Sequence, residues 1–245
     1  MLGMLARAVA LLKHATKPLA LAGAGLSAES GIPTFRGAGG LWRNFKAEEL
    51  ATPRAFDRDP QLVWEWYAWR RDVVAGCAPN PAHHALVELE KKSPAFWLIT
   101  QNVDGLSQRA GQQRMLELHG SLWRFKCRRC TYRRDDLQVP TPLDNTCPGC
   151  GDPVLRPDVV WFGEALDPAI VAKCDELASQ CDLLFVLGTS ANVYPAASYV
   201  PLAARHGATI IEINPDPTPM SNLAAVTIRE PVGQVLPEIV RRALG

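Results

Sequence analysis

Four cysteines form the most specific chemical pattern in this chain. Cys127-x-x-Cys130 and Cys147-x-x-Cys150 stand sixteen residues apart, a spacing that brings two thiolate pairs round one ion, as in a zinc ribbon. With sulfur at all four positions, no place is left for water or substrate, and zinc there is expected to be structural. A thioredoxin-like redox use is the weaker reading, because neither pair opens a helix beside a strand. The total of seven cysteines is odd, and C-x-x-C pairs in a reducing compartment suggest metal rather than bridges. Cys77, Cys174 and Cys181 are read as packing thiols.

Three further groups are placed to do chemistry. The apolar run Pro18 to Ala22 leads into Gly23-Ala24-Gly25-Leu26-Ser27-Ala28, where glycines allow a tight turn and let backbone N–H groups approach a pyrophosphate. Alone, this is equally a plain glycine turn between strand and helix. Gly31-Ile32-Pro33 ends the helix after about a turn, and no second strand closes on an acidic residue about 20 positions on, as a dehydrogenase requires. A ribose contact must come from elsewhere; Asn214, at the end of the apolar run Ala208 to Ile213, lies where ligands of open α/β sheets bind. His119 follows a strand read at Met115 to Leu118, and an imidazole of pKa about 6.5 can accept a proton near neutrality; the alternative is a structural histidine in a loop. Asn102 and Asp104 leave a buried strand two residues apart and can project into one cleft, or cap a helix.

The elements that must position these groups alternate along the chain. Apolar runs at Phe96 to Thr100, Leu183 to Gly188, Ala208 to Ile213 and Ala225 to Ile228 read as strands. Helical stretches lie between them at about Pro81 to Lys92, Pro168 to Ser179, Ala196 to His206 and Val232 to Ala243. This alternation implies an α/β fold, a Rossmann-like parallel sheet with helices on both faces. Thr34 to Gly76 and roughly Arg124 to Pro157 break it. The expected division is a Rossmann-like domain of residues 1–33, 78–123 and 158–245, and a small domain made of a helical insertion, 34–77, and the zinc ribbon, 124–157.

Composition narrows the function classes. At 245 residues and 47% hydrophobic content, the chain can bury one large core. A formal charge of +1 gives no global attraction for nucleic acid or an anionic membrane. Arg124, Lys126, Arg128, Arg129, Arg133 and Arg134 surround the first cysteine pair and are offset by Asp135, Asp136, Asp144 and Asp152; they read as a solvated face, with a local contact to an acidic partner as the alternative. No run approaches the roughly 18 apolar residues of a membrane span, Met1 to Ala15 reads as an amphipathic helix without a signal-peptide pattern, and a cytoplasmic location is expected.

Six segments, in order, resemble the sirtuins: Gly23-Ala24-Gly25-Leu26-Ser27, Gly31-Ile32-Pro33-Thr34-Phe35-Arg36, Thr100-Gln101-Asn102-Val103-Asp104-Gly105-Leu106, His119-Gly120-Ser121, Arg156-Pro157-Asp158-Val159-Val160-Trp161-Phe162-Gly163-Glu164 and Gly188-Thr189-Ser190. Ser107 stands where that family usually has histidine. The resemblance implies that NAD is consumed as a co-substrate: the acyl oxygen of an acyl-lysine peptide attacks the ribose carbon bearing nicotinamide, and the acyl group ends on ADP-ribose. It makes His119 the base and places Asn102 and Asp104 in the nicotinamide pocket. It also assigns Gly23, Ala24, Gly25, Ser27, Phe35, Arg36, Trp42, Gln101, Gly188, Thr189, Ser190, Asp216 and the Val232 backbone to the dinucleotide, beside Asn214. Mono-ADP-ribosyl transfer, or a NAD-sensing zinc-ribbon protein without turnover, are the competing functions.

Within the helical segment Pro60 to Gly76, Tyr67 and Arg70 are three apart and share a face. A phenol and a guanidinium directed into a cleft can bind a carboxylate, whereas an acetyl methyl would leave both without a partner. The pair resembles the Tyr-x-x-Arg feature of sirtuins that remove succinyl and malonyl groups, with Ala47 and Ala51 making room for the longer chain. Against this, Trp64, Trp66, Trp69 and Arg71 show a helix on which one arginine could simply face solvent.

Overall fold

The computed structural model describes residues 2–33, 41–42 and 45–245, with side chains from residue 49 onward in the last stretch. Phe35 and Arg36 lie outside the described residues, as do the side chains of Trp42 and Ala47.

Helix α1 (Leu2–His14) precedes β1 (Pro18–Ala22), the short α2 (Gly25–Ala28), a two-residue hairpin of β2 (Leu41–Trp42) and β3 (Phe45–Lys46), then α3 (Ala47–Leu50), α4 (Pro53–Arg58), α5 (Pro60–Ala75) and α6 (Pro81–Lys92). There follow β4 (Trp97–Thr100), α7 (Leu106–Ala110), β5 (Met115–Glu117), β6 (Gly120–Cys127), β7 (Arg133–Asp135) and β8 (Leu155–Val159). The chain ends with α8 (Pro168–Gln180), β9 (Leu183–Leu187), α9 (Tyr199–Arg205), β10 (Thr209–Ile213), β11 (Val226–Ile228) and α10 (Val232–Leu244). Helices α4, α5, α6 and α8 start alike, with Thr52, Asp59, Asn80 or Asp167 capping the first turn through its side chain and proline following. A polar oxygen satisfies a free N–H while proline presets the helical φ.

Six strands form one parallel sheet in the order β11-β10-β9-β1-β4-β5. Both faces are covered, which is why β1 and β9 are apolar and buried throughout. On one side Ala20, Ala22, Phe185 and Leu187 pack with residues of α1, α6 and α10. On the other, Leu19, Leu21, Leu184 and Val186 pack with residues of α8 and α9. The order reverses between β1 and β9, so the carboxyl ends of these strands open a crevice.

A second, antiparallel sheet, β7-β6-β8, carries the cysteines. Its strands begin at Gly120 and end at Val159, so the expected boundaries at 124 and 157 fall inside them. Gly120, at φ +80, makes this start: a Cβ there would lie 2.0 Å from the Asp158 carbonyl oxygen. Helix α5 joins both parts of the small lobe, with Trp64 beside Phe125, Cys127 and Cys147, and Trp66 and Tyr67 beside Leu122 and Trp161. Arg71 does not face solvent; it is fully buried, bonding the Asp136 carboxylate at 2.8 Å and its carbonyl at 2.7 Å. Cys174 and Cys181 are buried, as expected of packing thiols.

Candidate active site and metal centre

The glycine loop meets the turn after β9 backbone to backbone. Gly25 N–H donates to the Gly188 carbonyl at 2.7 Å, and a Cβ on Gly25 would come 2.7 Å from Gly188 Cα, one on Gly23 2.7 Å from Thr189 Cβ. Side chains are excluded by the neighbouring loop, so backbone polar groups form the floor of the crevice. That floor belongs to a cleft of about 1240 Å³, walled by Gly23, Ala24, Gly25, Gln101, Asn102, His119, Gly188, Thr189, Ser190, Asn214 and Asp216, and by Ala51, Tyr67 and Arg70. Glycine cradle, amide groups and hydroxyls suit a polar dinucleotide. Ser27, Asp104 and Val232 are not in the wall: each is buried, with Pro231 lining the cleft in front of Val232.

His119 sits between β5 and β6, its Nδ1 3.1 Å from the Gln101 carbonyl oxygen. A carbonyl only accepts, so Nδ1 carries the proton and Nε2 keeps a lone pair. Burial holds the imidazole below its ordinary 6.5, opposed by that bond to Gln101. The result is a neutral ring with one basic nitrogen. Gln101 spends its own amide nitrogen on the Thr189 hydroxyl at 3.0 Å and the Ala22 carbonyl at 3.4 Å.

Behind the wall runs a buried chain of hydrogen bonds. Ser27 Oγ donates to Asp104 Oδ2 at 2.8 Å and accepts from Asn102 Nδ2 at 3.1 Å. His83 Nε2 lies 3.4 Å from the same oxygen. The Asn80 N–H donates to His83 Nδ1 at 3.2 Å, which puts the His83 proton on Nε2, and burial brings this histidine down to about 4. Asp104 also accepts from Leu106 N–H at 2.8 Å, while burial raises its carboxyl above the usual range. Asp104 therefore orients Ser27 and braces the turn at Leu106, although the N-cap of α7 is Gly105 and carries no side-chain cap bond, while Asn102 lies in the wall with its nitrogen turned inward.

On the opposite wall, Tyr67 accepts a hydrogen bond from the Trp161 indole N–H at 2.8 Å. Burial raises its pKa, so its hydroxyl keeps a proton to donate. The Arg70 guanidinium lies 4.9 Å from the Trp66 ring centroid and 5.7 Å from that of Tyr67. Two contributors have no assigned role in the sequence reading. His83 gives no local signal, being 56 residues from Ser27. Val160, Trp161, Phe162 and Gly163 line the cleft within a segment quoted above as a motif; Arg156 holds it, pairing with Glu164 and stacking 3.1 Å from the Trp161 ring centroid.

The four cysteine sulfurs lie within 4.8 Å of one another. Cys127 and Cys150 are 3.7 Å apart, Cys130 and Cys147 3.6 Å, too far for disulfides and close to the roughly 3.8 Å edge of a tetrahedron with Zn–S bonds of about 2.3 Å. Arg129, Cys130 and Gly149 N–H groups donate to the sulfurs of Cys127 and Cys147, which favours thiolates. This is a structural zinc site. The basic cluster around it is largely paired: Arg124, Lys126 and Arg133 with Asp158, Arg128 with Asp57, Arg129 with Asp152 and Arg134 with Asp136. Of the acids expected to offset it, Asp136 and Asp152 do so, joined by Asp158, Asp57 and Glu117.

A switch-point glycine cradle, a neutral histidine with a basic nitrogen and a separate closed thiolate cluster suit an enzyme that uses NAD as a co-substrate. Residues 23–195 match the Sir2 family model. An NAD-dependent protein deacylase of Aquifex aeolicus is 49% identical over 211 residues, 86% of this chain and 88% of its own. One from Thermococcus kodakarensis is 47% identical over 247 residues, 98% of this chain and 95% of its own. A solved Sir2 homolog–NAD complex superposes with a TM-score of 0.92 at 44% identity, covering 97% of this chain and 93% of its own. Sir2Af2 bound to a myristoylated histone peptide gives 0.81 at 34% identity, covering 99% and 97%. The chain belongs to the Sir2 family, and its activity is that of an NAD-dependent protein deacylase. Among the described residues, no helix is long and apolar enough to cross a membrane.

Proposed function

We propose that this enzyme removes succinyl and malonyl groups from protein lysines, with acetyl as a poorer substrate, in the cytoplasm. The observation that carries the reading is that Tyr67 and Arg70 share the cleft wall with His119. The phenol offers one O–H, the guanidinium a fork of N–H donors, and a terminal carboxylate satisfies both. An acetyl methyl offers neither of them an acceptor.

When bound, NAD would supply an electrophilic ribose carbon and nicotinamide as its leaving group, so that acyl-lysine, NAD and one water would give free lysine, nicotinamide and O-acyl-ADP-ribose. Gly23, Ala24, Gly25, Gly188, Thr189, Ser190, Asn214 and Asp216 would hold the dinucleotide, with Phe35, Arg36 and Trp42 contributing from further along the chain. Asn102 would face nicotinamide. Ser27 and Asp104 serve it indirectly, by turning its amide. His119 accepts a proton at Nε2 from a ribose hydroxyl, its ring fixed by Gln101. Acyl-lysine peptides lie in the cleft between the Rossmann-like domain and the small domain, whose zinc-bearing part runs from 120 to 159.

The test is a panel of succinyl-, malonyl- and acetyl-lysine peptides with NAD, with O-acyl-ADP-ribose read by mass spectrometry. Arg70→Met is expected to raise KM for the succinyl peptide roughly tenfold or more, since a hydrogen bond to a charged group is worth about 1.5–3 kcal/mol, and to leave deacetylation nearly unchanged. Wild-type preference for acetyl-lysine, or equal loss of both activities, would refute the acidic-acyl reading. ADP-ribosyl protein as product would indicate transfer in its place.

A further inference from the structure

Strand β10 reads Thr209-Ile210-Ile211-Glu212-Ile213, and its one carboxylate is buried at 1% exposure between neighbours Val186 and Thr227. A carboxylate in such a place needs donors. Glu212 has three: the Thr218 hydroxyl at 2.5 Å, the Ser221 hydroxyl at 2.6 Å and Arg229 Nη1 at 2.6 Å. Arg229 also reaches Ser221 Oγ at 3.0 Å and the carbonyl oxygens of Asn214 and Asp216, each at 3.4 Å. The two hydroxyls and both carbonyls belong to the stretch that leaves β10 and returns to β11, and Arg229 follows β11 directly. That stretch has a single turn of 3₁₀ helix, Ser221–Leu223; backbone bonds tie its two ends to the strands, at Asn214 to Ile228 and at Ala225 to Ile210, and Met220 and Ala224 pack on the core, while the carboxylate and its arginine fasten it through side chains.

The same stretch carries Asn214 and Asp216 into the cleft wall. Asn214 commits its Nδ2 to the Asp216 carbonyl at 2.6 Å, which leaves Oδ1 as the side-chain atom it offers a ligand, an acceptor suited to a hydroxyl of a sugar. We propose that Glu212, acting with Arg229, is a positioning residue for NAD: it holds the 214–221 loop so that Asn214 and Asp216 meet the dinucleotide, without touching it. The inference rests on the reading that this wall holds NAD.

The clamp lies away from His119 and the acyl end of the cleft, so loosening it weakens NAD binding without slowing the chemical step. In the zinc-loaded enzyme, Glu212→Gln should raise KM for NAD about tenfold while kcat and the peptide KM stay within about twofold. Arg229→Met should match it, Arg229→Lys should recover part of the loss, and the double variant E212Q/R229M should be no worse than either single, as expected of groups acting as one unit. Thr218→Val, which removes one hydroxyl, should show about a threefold rise and carries the test if Glu212→Gln fails to fold. A folded variant with unchanged KM for NAD, or one that loses kcat at unchanged KM, overturns the clamp. Asn214→Ala separates the two levels: an unchanged KM for NAD there refutes the reading of this wall, whereas a raised KM with no effect from Glu212→Gln or Thr218→Val refutes the clamp alone.

Discussion

Every residue of β1 and β9 is buried and apolar, whereas all three residues of β7 are exposed and charged. The sheet around β7 is held by thiolates and by ion pairs that converge on Asp158 and Asp136. The parallel sheet is long-range hydrophobic burial, and it supplies the rigid crevice. Around the cysteines themselves the apolar packing is the small cluster of Trp64, Phe125 and Leu155; below a certain core size a metal does the work that burial cannot. Two solutions to stability thus meet at one cleft, and each can be attacked separately.

The largest effect is expected from the metal. Structural zinc supplies about 10–16 kcal/mol of apparent binding energy in small zinc modules, so strict chelation, or Cys147→Ala, should cost residues 120–159 their amide-exchange protection while β1 and β9 keep theirs. Simultaneous loss in both sheets would show that the lobes are one cooperative unit, and protection unaltered in both would show that zinc is dispensable.

Next comes His119→Ala, at the seam of the two sheets. Loss of a general base should lower kcat about 10²–10⁴-fold with NAD binding and melting temperature close to wild type. Near-normal turnover would remove His119 from its role. In the wild type the acid limb of kcat/KM should fall below pH 6.5, since burial lowers this imidazole from its 6.5 reference and the base works only when neutral.

The smallest effect concerns acid sensitivity of the parallel-sheet lobe. His83 is depressed from 6.5 to about 4 by burial. Between those values the unfolded chain binds the proton and the folded one does not, so stability is full above pH 6.5 and falls as pH drops toward about 4. His83→Gln should flatten that decline in urea titrations; an identical slope would mean that His83 is not the group responsible. Asp158 is shifted in the same direction but lies lower on the scale: burial raises its carboxyl but Arg124 and its neighbours pull it below 3.8, so its stabilisation persists through that window and fades only under stronger acid.

What was legible in the sequence followed from locality. Strand β1 is the apolar run ended by Gly23, helices α6 and α5 start at Asn80-Pro81 and Asp59-Pro60, and the thiolate cluster is set by two short spacings. Less legible were contacts made by distant residues of ordinary type. Nothing near His83 announces Ser27, and Glu212 in an isoleucine strand looks like the exposed side of an alternating pattern until Arg229 is brought over it. Nothing beside Arg71 announces its burial, because Asp136, its partner, lies 65 residues away. The start of β6 at Gly120 was hidden since β6 follows β5 with only two residues between them, so one apolar stretch serves two sheets.

The contact of Gly25 with Gly188 bears on how this protein can vary or be rebuilt. The obstacle each would meet is the other's main chain, which no second substitution can shorten, so a side chain gained at either position has no compensating partner. In a chimera assembled from two related enzymes, a crossover anywhere between residues 25 and 188 joins turns from different parents, and only those whose backbones already nest will leave the crevice open.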